Sequence, residues 1–405
     1  MESCFRNVLC RSLVFILAAL LAAGTAPAAS AGDREALVEG NNAFAVDLYG
    51  QLKKGGQGKS MFFSPVSISS ALAMTYAGAK GETASQMAAA LHFALAPGRL
   101  HPAFAELLGG LKGGKDFDLA VANAAWAQRG FAFHKSFLGI AGKYYQGALR
   151  KVDFLRDPGR SLAEINRWAE EKTNGKITGL LNPGNITRDT RLVLTSAVYF
   201  KGSWESRFDP KETRMEPFNL ESGKTVQVQM MSQKGEFGLS RDENSVILKM
   251  PYAGGKLSMV IMMPLTGRLE GLENSFLAGG LRARLSSLPR ESMHLQVPKF
   301  QMTDSFNLNE PLISLGMRNA FDDKADFSGM TRSEKLFISA VRHKAFVDVN
   351  EEGTEAAAAT AVVIETLSVK EMFVQINRPF IFMIRDEQSG SILFLGRMMD
   401  PSEKS

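Results

Sequence analysis

Cysteine is nearly missing from this chain. The two that occur in 405 residues, Cys4 and Cys10, both fall in its first ten positions, inside a segment with the look of an export leader. Once that leader is gone no thiol remains, which excludes a disulfide framework, a Cys nucleophile and a Cys-based metal site. Histidine is scarce as well. The five, His92, His101, His134, His294 and His343, include no pair at the i, i+4 spacing of a zinc-binding helix. No Gly-x-Ser-x-Gly elbow marks a hydrolase, and no Gly-x-x-x-x-Gly-Lys-Ser/Thr loop marks a phosphate site. Nor is charge of one sign concentrated anywhere. The formal charge is +5 and the pI about 9.1, without the Lys/Arg block that contacts nucleic acid or another polyanion. These gaps point away from an enzyme, a cofactor or metal protein and a nucleic-acid binder. Repeats and low-complexity linkers are lacking too, so 45% hydrophobic residues read as the core of one large domain.

What is present begins with Arg6 and Arg11 ahead of an apolar stretch over 13–23, then Ala26-Pro27-Ala28 or Ala29-Ser30-Ala31 as a small-residue cleavage site. The apolar stretch is short of the roughly 20 residues that span a bilayer. Residues 1–31 are therefore expected to be a signal peptide and 32–405 a single domain, secreted or periplasmic. Losing Glu2, Arg6 and Arg11 takes the charge to 5 − 2 + 1 = +4.

Along that domain, 37–52 has apolar residues at Phe44, Val46, Leu48 and Leu52 and reads as an amphipathic helix stopped by Gly55-Gly56. Phe62-Phe63 is a short strand ending at Ser64-Pro65, where Ser suits a cap and Pro the first helical turn. Two short helices are expected over 83–111, a central strand over 119–127, and further helices at 137–145 and 161–173. Residues 174–181 read as a turn and a small helix, and Asn185-Ile186-Thr187 has the form of a glycosylation sequon. A β-branched and aromatic run over 191–200 is long enough for a buried strand. Strand-like runs follow at 225–231, 245–250, 257–263 and 294–297, then a helix over 306–315. His343, alone between Arg342 and Lys344, reads as a hydrogen-bonded core group rather than a catalyst.

The rest is organised around 351–368. From Thr354 to Thr366 the even positions are Thr, Ala, Ala, Thr, Val, Ile and Thr, whereas the odd ones carry Glu355 and Glu365. As a strand, this segment has one uncharged face and one with charge at both ends. As a helix it is an Ala-rich one of high propensity. Pattern alone leaves both open.

Resemblance separates them. His343-Lys344-Ala345-Phe346-Val347-Asp348-Val349-Asn350-Glu351-Glu352-Gly353-Thr354-Glu355-Ala356-Ala357-Ala358-Ala359-Thr360 resembles the hinge of the serpins, a family made up mostly of serine-protease inhibitors. At the right distance, Asn377-Arg378-Pro379-Phe380-Ile381-Phe382 and Gly390-Ser391-Ile392-Leu393-Phe394-Leu395-Gly396-Arg397 resemble its C-terminal signature. The passages 62–74, 174–181 and 191–204 resemble further landmarks, so the likeness spans essentially everything after the leader. It implies an α+β, serpin-like fold of three β-sheets and about eight or nine helices, with an exposed reactive loop at about 351–376.

The same resemblance makes Gly353, Thr354, Glu355, Ala356, Ala357, Ala358, Ala359 and Thr360 the hinge. It places Ser64, Ser67, Ser196 and His343 in the region called the shutter and Trp204 in the breach, where the loop enters the main sheet. Counted along the family's usual loop, the scissile bond is Leu367-Ser368, with bonds at Thr366 or Val369 as alternatives; Lys370, which a trypsin-like target needs, comes three residues late. One position departs from the family. Ser196 stands where an Asn commonly bonds the shutter His, and a hydroxyl is expected to reach His343 only through a water or a shifted strand. The implied function is a suicide-substrate inhibitor of chymotrypsin-like, elastase-like or subtilisin-like serine proteases, not an enzyme. It is expected to be a monomer without cofactor, metal, nucleic-acid partner or polyanion site. The alternative is a non-inhibitory serpin-fold protein for binding or storage.

Overall fold

A computed structural model describes residues 30–403 apart from 57, 112–115, 147–148, 279–283, 286–287, 333–334 and 355–371. Helix α1 (Ala31–Gly55) opens on a capping box between Ser30 and Asp33, and β1 (Met61–Phe63) then leads into α2 (Pro65–Tyr76), whose N-cap is Ser64 with Pro65 in the first turn. Among the described residues the further α-helices named here are α3 (Gly81–Ala90), α4 (Pro97–Gly110), α5 (Lys135–Tyr144), α6 (Pro158–Lys172), α7 (Leu269–Leu277) and α8 (Asn309–Ser314).

Among the described residues the main sheet has six strands. Their order is β10 (Phe300–Asn307), β11 (Ala340–Asn350), β12 (Gly353–Thr354), β4 (Leu192–Ser203), β2 (Phe117–Gln128) and β3 (Leu149–Val152). β2 and β4 lie between α2 on one face and a cluster on the other that gathers Trp126, Val193 and Tyr199 with Ile165 and Trp168 of α6. Burial on both faces explains why β4 is a continuous apolar run rather than an alternating one.

The other strands form one nine-stranded ladder. Its path is β1, β15 (Ile392–Met398), β14 (Phe380–Asp386), β8 (Leu257–Pro264), β7 (Ser245–Pro251), β6 (Thr225–Arg241), β9 (Arg290–Pro298) and β13 (Met372–Gln375), with β5 (Arg214–Asn219) also on β6. β6 is the corner. Its start pairs with β5, its middle with β9 and its last four residues with β7, so two of the three expected sheets are lobes joined through it.

Several boundaries differ from expectation. β6 runs on to Arg241 instead of stopping at 231, and β9 begins at Arg290 rather than 294. Residues 174–181 form no small helix, because Asn174, Gly175 and Gly179 all take positive φ, which ends α6 and prevents a new turn. Phe306 and Asn307 close β10 rather than opening a helix, and α8 covers only Asn309–Ser314. Strands β3, β5, β10 and β13 carried no clear signal; β3 and β13 have only four residues each, and β3, β10 and β13 end their sheets.

Candidate functional site

The site is the seam between β4 and β11. Over seven residue pairs, from Ala340 with Val193 to Phe346 with Tyr199, these strands run parallel and hydrogen-bonded. Above Phe346 they part, and β12 lies between them. Gly353 pairs with Ser203 on one side and Asn350 on the other; Thr354 pairs with Gly202 and Val349. The chain has thus entered the main sheet by two residues. The strand reading of the hinge holds as far as Thr354, while Glu355, Ala356, Ala357, Ala358, Ala359, Thr360, Leu367 and Ser368 lie outside the described residues.

Glycine is what lets three backbones meet here. Gly353 has φ +150°, and a Cβ on it would stand 2.0 Å from the Gly202 carbonyl oxygen; one on Gly202 would stand 2.7 Å from the Phe200 ring. Thr354 then points inward, fully buried, with its Oγ1 2.9 Å from the Tyr252 hydroxyl. Burial pushes that phenol up, so Tyr252 keeps its proton.

Tyr252 stacks on Trp204, with centroids 4.6 Å apart and planes at 12°. The Trp204 indole Nε1 donates to the Asn350 carbonyl at 2.9 Å, and its backbone N–H donates to the Glu352 carbonyl at 3.0 Å. Trp204, placed by resemblance in the breach, therefore pins both ends of the turn that returns the chain into the sheet. Glu351 holds the turn's other side through Lys299 Nζ (2.9 Å) and Thr213 Oγ1 (2.9 Å). Burial pushes its carboxyl up, but the bonds from Lys299 and Thr213 outweigh this and hold it below the ordinary value.

Lower in the seam the four shutter residues come together. Ser64 N–H donates to His343 Nε2 at 3.0 Å, which leaves the ring proton on Nδ1, 2.9 Å from Ser196 Oγ. Ser196 Oγ is 2.8 Å from Ser67 Oγ, which donates to Asn123 Oδ1 at 2.7 Å. Each hydroxyl has one proton, so the chain has one direction: His343 to Ser196 to Ser67 to Asn123. The Asn123 amide then donates to the Ser67 carbonyl (2.9 Å) and Ser70 Oγ (2.7 Å). His343 is fully buried, and burial pushes it down to about 3; a second ring proton would also confront the Ser64 N–H.

The expectation for Ser196 is corrected by this geometry. Its hydroxyl reaches His343 directly, with neither a water nor a shifted strand, because the parallel register sets Ser196 opposite His343 with both side chains turned toward α2. The amide comes from the next strand instead: Asn123 of β2 is the register partner of Ser196.

Several residues escaped sequence reasoning. Asp304 of β10 accepts the Phe62 N–H, and burial pushes its carboxyl up to about 6. With His343 on Ser64, it caps the edge of β1 that β15 does not cover. Asn123 had a detectable signal, as a lone amide in an apolar run must find partners. Tyr252, Lys299 and Asp304 had none, since each depends on a strand distant in the chain. Among the described residues no group of three or more His, Cys, Asp and Glu could hold a metal, and no helix is long and apolar enough to cross a membrane.

Comparison with known proteins adds the following. The family model described as "Serpin (serine protease inhibitor)" matches residues 39–401. Leukocyte elastase inhibitor of Bos taurus is 43% identical over 91% of this chain and 100% of its own length. An uncharacterized serpin-like protein of Thermococcus kodakarensis is 41% identical over 92% and 87%. Among solved structures, uncleaved ovalbumin superposes with TM-score 0.84 at 28% identity, covering 90% of this chain and all of that one. Human thyroxine-binding globulin complexed with its hormone gives 0.84 at 31% identity over 92% and 100%.

Proposed function

The chain belongs to the serpin family of serine protease inhibitors, and from that premise we propose that it is a suicide substrate whose reactive bond is Leu367-Ser368. A serine protease attacks that bond and forms an acyl-enzyme on Leu367. The freed strand then slides into the seam, carrying the protease with it and distorting its active site before deacylation. The observation that carries this reading is β12, two residues already in register with both β4 and β11.

Extending those two registers predicts the inserted state. Thr360 arrives level with both Ser196 and His343, and Val362 with Leu194 and Val341. Thr354 faces inward, so the uncharged even positions follow it onto the buried face while Glu355 and Glu365 turn out. One parallel ladder of seven pairs is exchanged for two antiparallel ones. A net gain of several backbone hydrogen bonds at about 0.5–1.5 kcal/mol each, with burial of Val362, Ile364 and Thr methyls at about 25 cal/mol per Å², is on the order of 10 kcal/mol. This matches the roughly 5–15 kcal/mol that holds a protease domain together, enough to disorder the captive enzyme. The uncleaved form is accordingly a kinetically trapped state.

Leu367 suits an apolar primary pocket, chymotrypsin-like or elastase-like, and the relatives named leukocyte elastase inhibitor agree with that choice. The place of action is outside the cytoplasm, on the strength of the leader at 1–31. Cleavage after Ala28 rather than Ala31 keeps Ser30, the cap of α1.

The test is incubation with a panel of serine proteases. A complex that survives boiling in detergent is expected with an elastase-like or chymotrypsin-like enzyme, along with a released fragment beginning at Ser368. The nicked protein should melt well above the intact one. If no protease gives a complex and nicking leaves the melting temperature unchanged, the protein is instead a serpin-fold binder, a reading that the likeness to thyroxine-binding globulin in complex with thyroxine favours.

A further inference from the structure

Beside the main sheet lies a cavity of about 330 Å³. β3 pairs with β2 only over residues 125–128, so among the described residues no strand covers the edge of β2 ahead of them, and side chains of α2, α4 and α6 close around the gap. The apolar part of its lining comes from Ala71 and Met74 of α2, Leu108 of α4, Leu111 just beyond it, and Leu119 and Val121 of β2. Two exposed cations complete it, Arg150 of β3 and Lys172 of α6, and none of the lining residues is acidic.

The two cations stand together. The Arg150 guanidinium lies 5.4 Å from the centre of the Trp168 ring, and Lys172 follows Trp168 by one turn of α6, on the same side of the helix. Neither has a carboxylate within ion-pair distance among the described residues. A cation left without an acid beside an apolar cavity is a ready partner for an anion that brings its own apolar body.

The neutral polar groups narrow the choice further. Asn123 Nδ2 donates to Ser70 Oγ at 2.7 Å, and the Tyr145 hydroxyl is 2.8 Å from His101 Nδ1, so these groups already have partners. The Trp168 indole N–H does not; it is buried and meets no acceptor among the described residues. A ligand's charge is therefore met by Arg150 and Lys172. Its size follows from the volume: at roughly 30 Å³ for each water-sized group, 330 Å³ holds about eleven, close to a carboxylate of about ten carbons.

We propose that this cavity binds one medium-chain carboxylate, with its tail among α2, α4 and β2 and its head at Arg150 and Lys172. Binding is read without any protease, so it stands or falls apart from the inhibitor reading.

The probe is decanoate, titrated into the whole folded chain by calorimetry. One molecule should bind per chain; decanol, equally long and uncharged, should bind about tenfold or more weaker, and hexanoate, four methylenes shorter, about a hundredfold weaker. Arg150→Gln with Lys172→Gln should weaken decanoate by about tenfold and erase its preference over decanol, with the melting temperature unchanged because both side chains are exposed. Val121→Phe, which fills the cavity, should weaken acid and alcohol alike. The proposal is overturned if decanoate does not bind, if decanol binds as tightly, or if the double variant and Val121→Phe both retain wild-type affinity. Should the double variant melt lower, Val121→Phe alone decides. Vesicles of phosphatidylglycerol should not bind; vesicle binding without decanoate binding would assign the site to membrane lipid and overturn the proposal as well.

Discussion

The two ends of the β4–β11 seam solve opposite problems. At the upper end a strand has already entered, and the groups around it are aromatic and backbone: Trp204 on Tyr252, Tyr252 on Thr354, and glycines at 202 and 353 that let main chains touch. At the lower end the seam is shut, and it is held by small hydroxyls, an amide and a neutral imidazole. Packing at the top keeps the entering strand in place, since stacked rings and close backbones are costly to rearrange. The hydrogen bonds below can be exchanged one for another when a new strand brings its own donors, as long as none is left unpaired.

The most severe way to break the comparison is Thr354→Arg. A buried charge at the first inserted position has no partner there, so covalent complex should vanish and the protease should turn the variant over as substrate. Denaturing electrophoresis reads this directly, and an undiminished complex would mean that insertion does not pass through residue 354.

Ser196→Ala probes the lower end. It strands the His343 Nδ1–H and removes the donor to Ser67, a loss of about 1–3 kcal/mol in the intact protein by denaturant unfolding. After cleavage the loss should be smaller, since Thr360 supplies a hydroxyl at the same level. Equal losses in both forms would show that cleavage never opens the seam as far as the shutter.

Acidity sharpens the contrast. His343 sits at about 3 in the folded protein against an ordinary 6.5, so its contribution is complete above pH 6.5 and is lost as pH falls. Asp304, raised to about 6 from 3.8, works the other way: its contribution is complete below 3.8 and is lost as pH rises through 6. The two slopes oppose each other between pH 4 and 6. Asp304→Asn should therefore raise stability at pH 7 by about 1–2 kcal/mol and steepen the decline on acidification from 6.5 to 4. Melting temperatures across that range check both signs.

The smallest expected effect is Tyr252→Phe, which keeps the stack on Trp204 and removes only the bond to Thr354. About 0.5–1.5 kcal/mol should be lost, with inhibition intact.

Much of this architecture was legible beforehand because it rests on local patterns. The Ser64-Pro65 cap and the doubly buried run of β4 follow from rules that act within a few residues. The inference about Ser196 failed for a complementary reason. It assumed that the amide and the imidazole must occupy one fixed pair of positions, whereas the packed sheet delivers Asn123 from a neighbouring strand and brings Ser196 within direct reach. Side chains whose partners lie dozens or hundreds of residues away, such as Asp304 under Phe62 or Lys299 on Glu351, leave no trace in either segment alone.

By itself, then, the amino-acid order determined most of the helices and strands, and which positions between Thr354 and Thr366 are small or uncharged. The tertiary structure decided where the seam divides, that the chain re-enters it at Gly353 and Thr354, and which way protons run from His343 to Asn123. Those depend on the register between strands far apart in the chain, and register is settled by the mutual packing of whole faces, which no single segment contains.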